Sequence, residues 1–166
     1  MKARLEVKTF IQRVAGGERF RVIDFRGDYW RTIPGAIPVQ FDFDIFFEEA
    51  GWTQDMLGVP FQTTLPVLLV CDSGGKSDTA LTFFKEKNPM SPYTLYSLKG
   101  GWTAYVEQVR KLTEGFKQQQ RFTDELTDLR TDPERFQQLL QGLLKHRKVG
   151  LTERLLHPGL WFGHNE

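Results

Sequence analysis

Val70-Cys71-Asp72-Ser73-Gly74-Gly75-Lys76-Ser77 follows directly on the apolar run Leu65-Pro66-Val67-Leu68-Leu69-Val70. That run is short, aliphatic and opened by Pro66, the pattern of a buried strand. From Ser77 the chain continues Ser77-Asp78-Thr79-Ala80-Leu81-Thr82-Phe83-Phe84-Lys85, with apolar residues at helical intervals, and predicts a helix over about 77–87. Cys71 is the only cysteine in 166 residues. It is expected at the carboxyl end of a strand, in a glycine-bearing turn that faces a helix N-terminus. Open α/β sheets bind their ligands in this position. Gly74 and Gly75 can take positive φ and curl the backbone so that several N–H groups point inward, a nest for negative charge. The helix start adds unpaired N–H groups and the positive end of its dipole, and Lys76 adds a full charge. Such a loop holds a cysteine toward its nucleophilic thiolate. The competing reading of the spacing alone is a small buried hydrophobe that ends a strand.

Outward from this loop, strands alternate with helices. Val7 to Val14 reads as a short helix stopped by Gly16-Gly17, and Phe20-Arg21-Val22-Ile23-Asp24-Phe25 as a strand. Ile33-Pro34-Gly35-Ala36-Ile37-Pro38-Val39 is a turn entering a short extended piece, and Asp42 to Ala50 predicts a helix ended by Gly51. Beyond the central helix, Tyr93-Thr94-Leu95-Tyr96-Ser97-Leu98 is another strand. Gly100-Gly101 then breaks the chain before a helix from about Trp102 to Leu112. This order implies an α/β fold, a parallel sheet with helices on both faces. After about Gly115 only helices are predicted. Asp132 caps one, with Pro133 at its first position, and Phe136, Leu139, Leu140, Leu143 and Leu144 form its apolar face. That face is expected to pack on the chain's own surface, with a partner helix or a second copy as the other possible cover. Gly150 closes the helix, Thr152 to Leu156 forms a last turn, and Trp161 and Phe162 are expected to plug a groove.

Composition sets the bounds. Hydrophobic residues make up 40% and charged residues 26%, ordinary for a soluble globular chain, and a net charge of +1 provides no bulk attraction to nucleic acid or membrane. A lone cysteine cannot form an internal disulfide, the N-terminus lacks the apolar stretch of a signal peptide, and no stretch is apolar enough to span a bilayer. A cytoplasmic protein is the expectation. His146, His157 and His164 are not at ligand spacing with each other or with Cys71, so no metal and no cofactor is expected.

Two other anion-binding chemistries nearly fit the loop. Gly75-Lys76-Ser77 matches the end of a phosphate-binding Walker loop, but the position of its first glycine holds the β-branched Val70. A cysteine phosphatase needs an arginine six residues after the nucleophile. That position is Ser77, and Lys76, one residue early, cannot offer the paired hydrogen bonds of a guanidinium.

Three segments, in order, resemble a rhodanese domain. Val22-Ile23-Asp24-Phe25-Arg26 followed by Ile33-Pro34-Gly35-Ala36-Ile37 is similar to the family's Asp-x-Arg strand end and its Ile-Pro-Gly-Ala turn. Cys71 to Ser77 is similar to Cys-x-x-Gly-x-Arg-Ser, with Lys76 in place of arginine, and Leu98-Lys99-Gly100-Gly101-Trp102 resembles the family's Leu-x-Gly-Gly segment. The resemblance implies a rhodanese-like domain over residues 1–114, with residues 115–166 as a helical C-terminal extension. It also implies a sulfurtransferase in which Cys71 carries a persulfide between a donor, thiosulfate or a persulfide-bearing protein, and a thiol or cyanide acceptor. Asp72, Ser73, Gly74, Gly75, Lys76 and Ser77 would form the binding loop, with Asp72 and Ser73 supplying backbone N–H groups. Asp24, Arg26 and Gly101 would support it. The chain departs from the family at Arg31-Thr32, where Gly-His is frequent, at Lys76, and at Asp72, whose charge beside the sulfur opposes an anionic donor and favours delivery by a partner protein. The alternative from another class is a non-catalytic rhodanese-like module whose loop binds an anion or a protein.

Overall fold

The computed structural model describes residues 3–27, 30–39, 65–87 and 93–147. Among them five strands and five helices follow in the order β1 (Arg4–Leu5), α1 (Val7–Ala15), β2 (Arg21–Asp24), β3 (Ile37–Pro38), β4 (Val67–Val70), α2 (Gly75–Lys87), β5 (Leu95–Leu98), α3 (Gly101–Thr113), α4 (Gln119–Leu126) and α5 (Pro133–Arg147). Every strand pairing is parallel, and the sheet order is β1-β5-β4-β2-β3. β4 lies at the centre, with all four of its residues buried, which explains why its sequence is a continuous aliphatic run. Leu65 and Pro66 fall outside it. Pro66 cannot donate to a neighbour, though its carbonyl still takes the Arg21 N–H at 2.9 Å.

The two faces of the sheet are covered by different helices. Side chains alternate along β4, so Val67 and Leu69 join Ile23, Leu95 and the Ala80, Leu81 and Phe84 stripe of α2. Leu68 and Val70 join Val22 and Leu98 on the opposite face, under α1 and α3. α1 buries Val7, Phe10, Ile11, Val14 and Ala15, a spacing that keeps one side of the helix on the sheet. The α/β sheet with helices on both faces is the architecture the alternation of elements implies. β1, only two residues long, is not visible in the sequence pattern.

α4 and α5 complete the α1 face. Asp132 caps α5 by accepting the Arg135 N–H at 2.9 Å, with Pro133 in the first helical position. Phe136, Leu139, Leu140 and Leu143 are buried in the same cluster as Phe10, Val14, Tyr105 and Leu112. These four residues are thus covered by the chain's own helices, while Leu144, the fifth residue of the predicted face, is only partly buried against the same cluster. Polar contacts fasten the same junction. The Tyr105 hydroxyl donates to the Leu126 carbonyl at 2.6 Å, the Gln141 amide to the Ala15 carbonyl at 2.8 Å, and Arg147 to the carbonyls of Leu112 and Glu114. Leu112 and Phe116, on either side of the 114/115 boundary, share this one core. The helix expected over 42–50 and the tail features from Gly150 to Phe162 lie outside the described residues.

Candidate active site

β4 and β2 are neighbours, and the chain leaves β2 for β3 toward one edge of the sheet and leaves β4 for β5 toward the other, so a switch point falls between the carboxyl ends of β2 and β4. Cys71 is the first residue past the end of β4. It is only 3% exposed, and its sulfur faces into the loop rather than out of it. Sγ accepts the N–H of Gly74 at 3.1 Å and that of Ser77 at 3.4 Å, and the Ser77 hydroxyl stands 3.5 Å away. α2 begins at Gly75, two residues before the expected start, because Gly74 at a φ of 96° turns the chain directly into the helix. Ser77 is therefore in the first helical turn, where N–H groups have no partner inside the helix, and one of those donors meets the sulfur.

The loop residues divide by exposure. Gly74 and Ser77 are buried with the sulfur, whereas Asp72, Ser73, Gly75 and Lys76 stand on the exposed rim. The N–H groups that reach Sγ among the described residues are those of Gly74 and Ser77. Asp72 contributes its carbonyl, which takes the Thr103 N–H at 3.0 Å.

The start of α3 clamps the back of the loop. Trp102 donates its N–H to the Cys71 carbonyl at 2.8 Å, so two first-turn N–H groups of α3 bind two successive loop carbonyls. Gly101, at a φ of 60°, lies so close that a Cβ there would stand 2.3 Å from the Cys71 carbonyl oxygen. The sulfur thus has one helix N-terminus in front of it and another holding the backbone behind it.

Asp24 and Arg26 form a buried pair beside this clamp, their side chains 1% and 7% exposed. The Arg26 guanidinium reaches the Asp24 carboxylate through Nε at 3.1 Å and through a terminal nitrogen at 2.8 Å, and the Arg26 backbone N–H adds a bond of 2.9 Å. Arg26 also donates to the Arg31 carbonyl at 2.8 Å and lies 4.2 Å above the Trp102 ring. Thr32 donates its hydroxyl to Asp24 at 2.6 Å. The departure at Arg31-Thr32 therefore leaves a hydrogen-bond donor on the buried carboxylate, supplied by a threonine.

Sequence reading passed over four of these residues. Trp102 was visible only as the residue after Gly100-Gly101, and Thr32 only as a departure. Thr127 and Leu129, whose carbonyls take the N–H groups of Thr32 and Gly35 at 3.1 Å each, carry no motif at all.

The family model of the rhodanese-like domain matches residues 6–108, from the residue before α1 through most of α3 and across the whole loop. No curated protein matches the sequence. The match covers more than half of the chain and includes the sulfur loop, the Asp24–Arg26 pair and the Gly101 clamp: this chain belongs to the rhodanese-like domain family.

Proposed function

We propose that the protein is a sulfurtransferase that carries sulfane sulfur on Cys71. The observation that carries this reading is the pair of N–H groups, from Gly74 and Ser77, aimed at Sγ. Fixed donors of this kind stabilise an anion without reorganising during the reaction, and both a thiolate and a terminal persulfide are anions. In the first step the Cys71 thiolate attacks the outer sulfur of the donor. A new S–S bond forms to Cys71, the donor's own bond breaks, and sulfite or a donor thiolate leaves with the electron pair. In the second step a cyanide or thiolate acceptor attacks the outer sulfur. The persulfide bond breaks, Cys71 recovers its thiolate, and thiocyanate or an acceptor persulfide departs. Sulfur moves at constant oxidation level, so no cofactor is needed.

Asp72 and Lys76 both stand on the exposed rim of the loop. The negative charge of Asp72 favours a persulfide-bearing protein over thiosulfate as the donor. A cytoplasmic location suits this chemistry, since a reducing compartment keeps a lone thiol free. No helix among the described residues is long and apolar enough to cross a membrane.

Intact-mass measurement after incubation with thiosulfate or a protein persulfide tests the reading. One added sulfur, removed by cyanide and missing in Cys71→Ser, is the expected result. A folded protein that takes up no cyanide-labile sulfur from either donor leaves the non-catalytic module as the function.

A further inference from the structure

Ser97 is a buried hydroxyl inside a hydrophobic strand. It lies in β5 beside Leu69, is 0% exposed, and its neighbours Leu95 and Leu98 are core residues. Its side chain meets the hydroxyl of Ser77 at 2.8 Å, the one side-chain hydrogen bond it makes among the described residues. Ser77 in turn lies 3.1 Å from the Gly74 carbonyl and 3.5 Å from Cys71 Sγ. Three buried groups thus converge on one serine hydroxyl, which owns a single proton and two lone pairs.

The proton directions follow from counting. Were Ser77 to donate to Ser97, the Ser97 proton would be buried with no acceptor, an arrangement folded proteins avoid. Ser97 therefore donates to Ser77. The Ser77 proton is then free to point to the Gly74 carbonyl or to Cys71 Sγ, and one Ser77 lone pair is already taken. A neutral thiol can donate to the lone pair that remains, and the Ser77 proton then goes to the Gly74 carbonyl. An anionic sulfur, which can only accept, takes the Ser77 proton instead, while the Gly74 carbonyl keeps the Asp78 N–H at 3.0 Å. The bond received from Ser97 polarises Ser77 into a stronger donor and a weaker acceptor, which favours this arrangement.

We propose that Ser97 is a positioning residue that biases the Ser77 hydroxyl toward donating to anionic sulfur on Cys71. The inference rests on Cys71 being the working sulfur of the proposed function, yet its test needs no sulfur donor. Cys71 is the only cysteine, so alkylation by iodoacetamide, followed by intact mass, reports on this sulfur alone. Ser97→Ala should slow alkylation about threefold near neutral pH, with the deficit closing at alkaline pH where the thiol ionises unaided. Ser77→Ala should slow it similarly, and the double variant should be no slower than Ser77→Ala, because Ser97 acts only through Ser77. Ser97→Thr and Ser97→Val differ by a hydroxyl at nearly constant shape. Alkylation should be restored in the first and impaired in the second, a comparison that holds if Ser97→Ala does not fold.

Equal alkylation profiles for Ser97→Thr and Ser97→Val overturn the proposal, as does a multiplicative loss in the double variant. A deficit that persists unchanged at alkaline pH also overturns it, since that pattern reports altered access rather than altered ionisation. Alkylation that follows the proposal in a protein that accepts no sulfur keeps the role of Ser97 and removes the sulfurtransferase reading. Sulfur uptake with equal Thr and Val profiles does the reverse.

Discussion

Replacing Gly101 by alanine should disable the sulfur loop without touching a reactive atom. An added Cβ would stand 2.3 Å from the Cys71 carbonyl oxygen, 2.8 Å from that of Asp72 and 2.8 Å from the Gly74 nitrogen. All three are backbone atoms, so no side chain can swing aside. Real Cβ atoms keep at least 3.0 Å, so the loop must retreat from α3 by 0.7 Å or more, the difference between 3.0 Å and 2.3 Å. That movement stretches the 2.8 Å bond from Trp102 to the Cys71 carbonyl and shifts the Gly74 N–H away from Sγ. Alanine at a φ of 60° costs about 1–2 kcal/mol in itself. A weakened buried hydrogen bond adds about 1–3 kcal/mol. The sum lowers the melting temperature by roughly 5–15 °C for a chain of this size. Sulfur transfer should fall by roughly ten- to a hundredfold, as it does when a reacting group is misplaced by the better part of an ångström. Differential scanning calorimetry together with thiocyanate formation measures both effects. A Gly101→Ala protein with the wild-type melting temperature and rate would refute the clamp.

Gly142→Ala is the opposite case: its Cβ meets nothing within 4 Å inside α5, so the better helix former should stabilise the protein by about 0.5–1 kcal/mol in urea unfolding and leave sulfur transfer unchanged. Asp72→Lys should raise the rate with thiosulfate by about tenfold or less, because Asp72 is exposed and its field is screened by solvent. An unchanged rate at equal stability shows that Asp72 does not face the donor. Truncation after Gly115 strips the cover from Phe10, Val14, Tyr105 and Leu112 and removes the acceptor of the Tyr105 hydroxyl, so soluble yield should drop sharply.

What could be read in the sequence depended on whether side chains or backbone carried the information. β4 was legible because a central parallel strand is buried on both faces and shows this as an unbroken aliphatic run. α5 was legible from its helical period and its Asp132-Pro133 start. β1 was not, since Arg4 and Leu5 join the sheet edge by backbone bonds to β5, and two residues show no period. The start of α2 was placed too late because Gly75 and Lys76 look like loop in isolation, although Gly74 at positive φ already launches the helix. Ser97 was hidden for another reason. A serine between Tyr96 and Leu98 fits the polar position of an alternating strand with one wet face, and only α2 packing over that face buries it.

The C-terminal helices reach the site by a route of hydrogen bonds. The turn between α4 and α5 runs beside residues 30–35: Leu129 donates to the Trp30 carbonyl at 2.9 Å, while its own carbonyl and that of Thr127 accept from Gly35 and Thr32. Thr32 and the Arg31 carbonyl, so placed, are the outer partners of the Asp24–Arg26 pair, and Arg26 covers Trp102, whose N–H holds Cys71. A buried carboxylate–guanidinium pair is stable only while its remaining donors and acceptors are met, and leaving one of them unmet costs about 1–3 kcal/mol. The two outer partners come from a segment that is held by the extension. A helical appendage that served only as cover for α1 would need no bonds to residues 30–35. The observed bonds instead connect the turn between α4 and α5, through residues 30–35 and the ion pair, to Trp102 at the back of the loop.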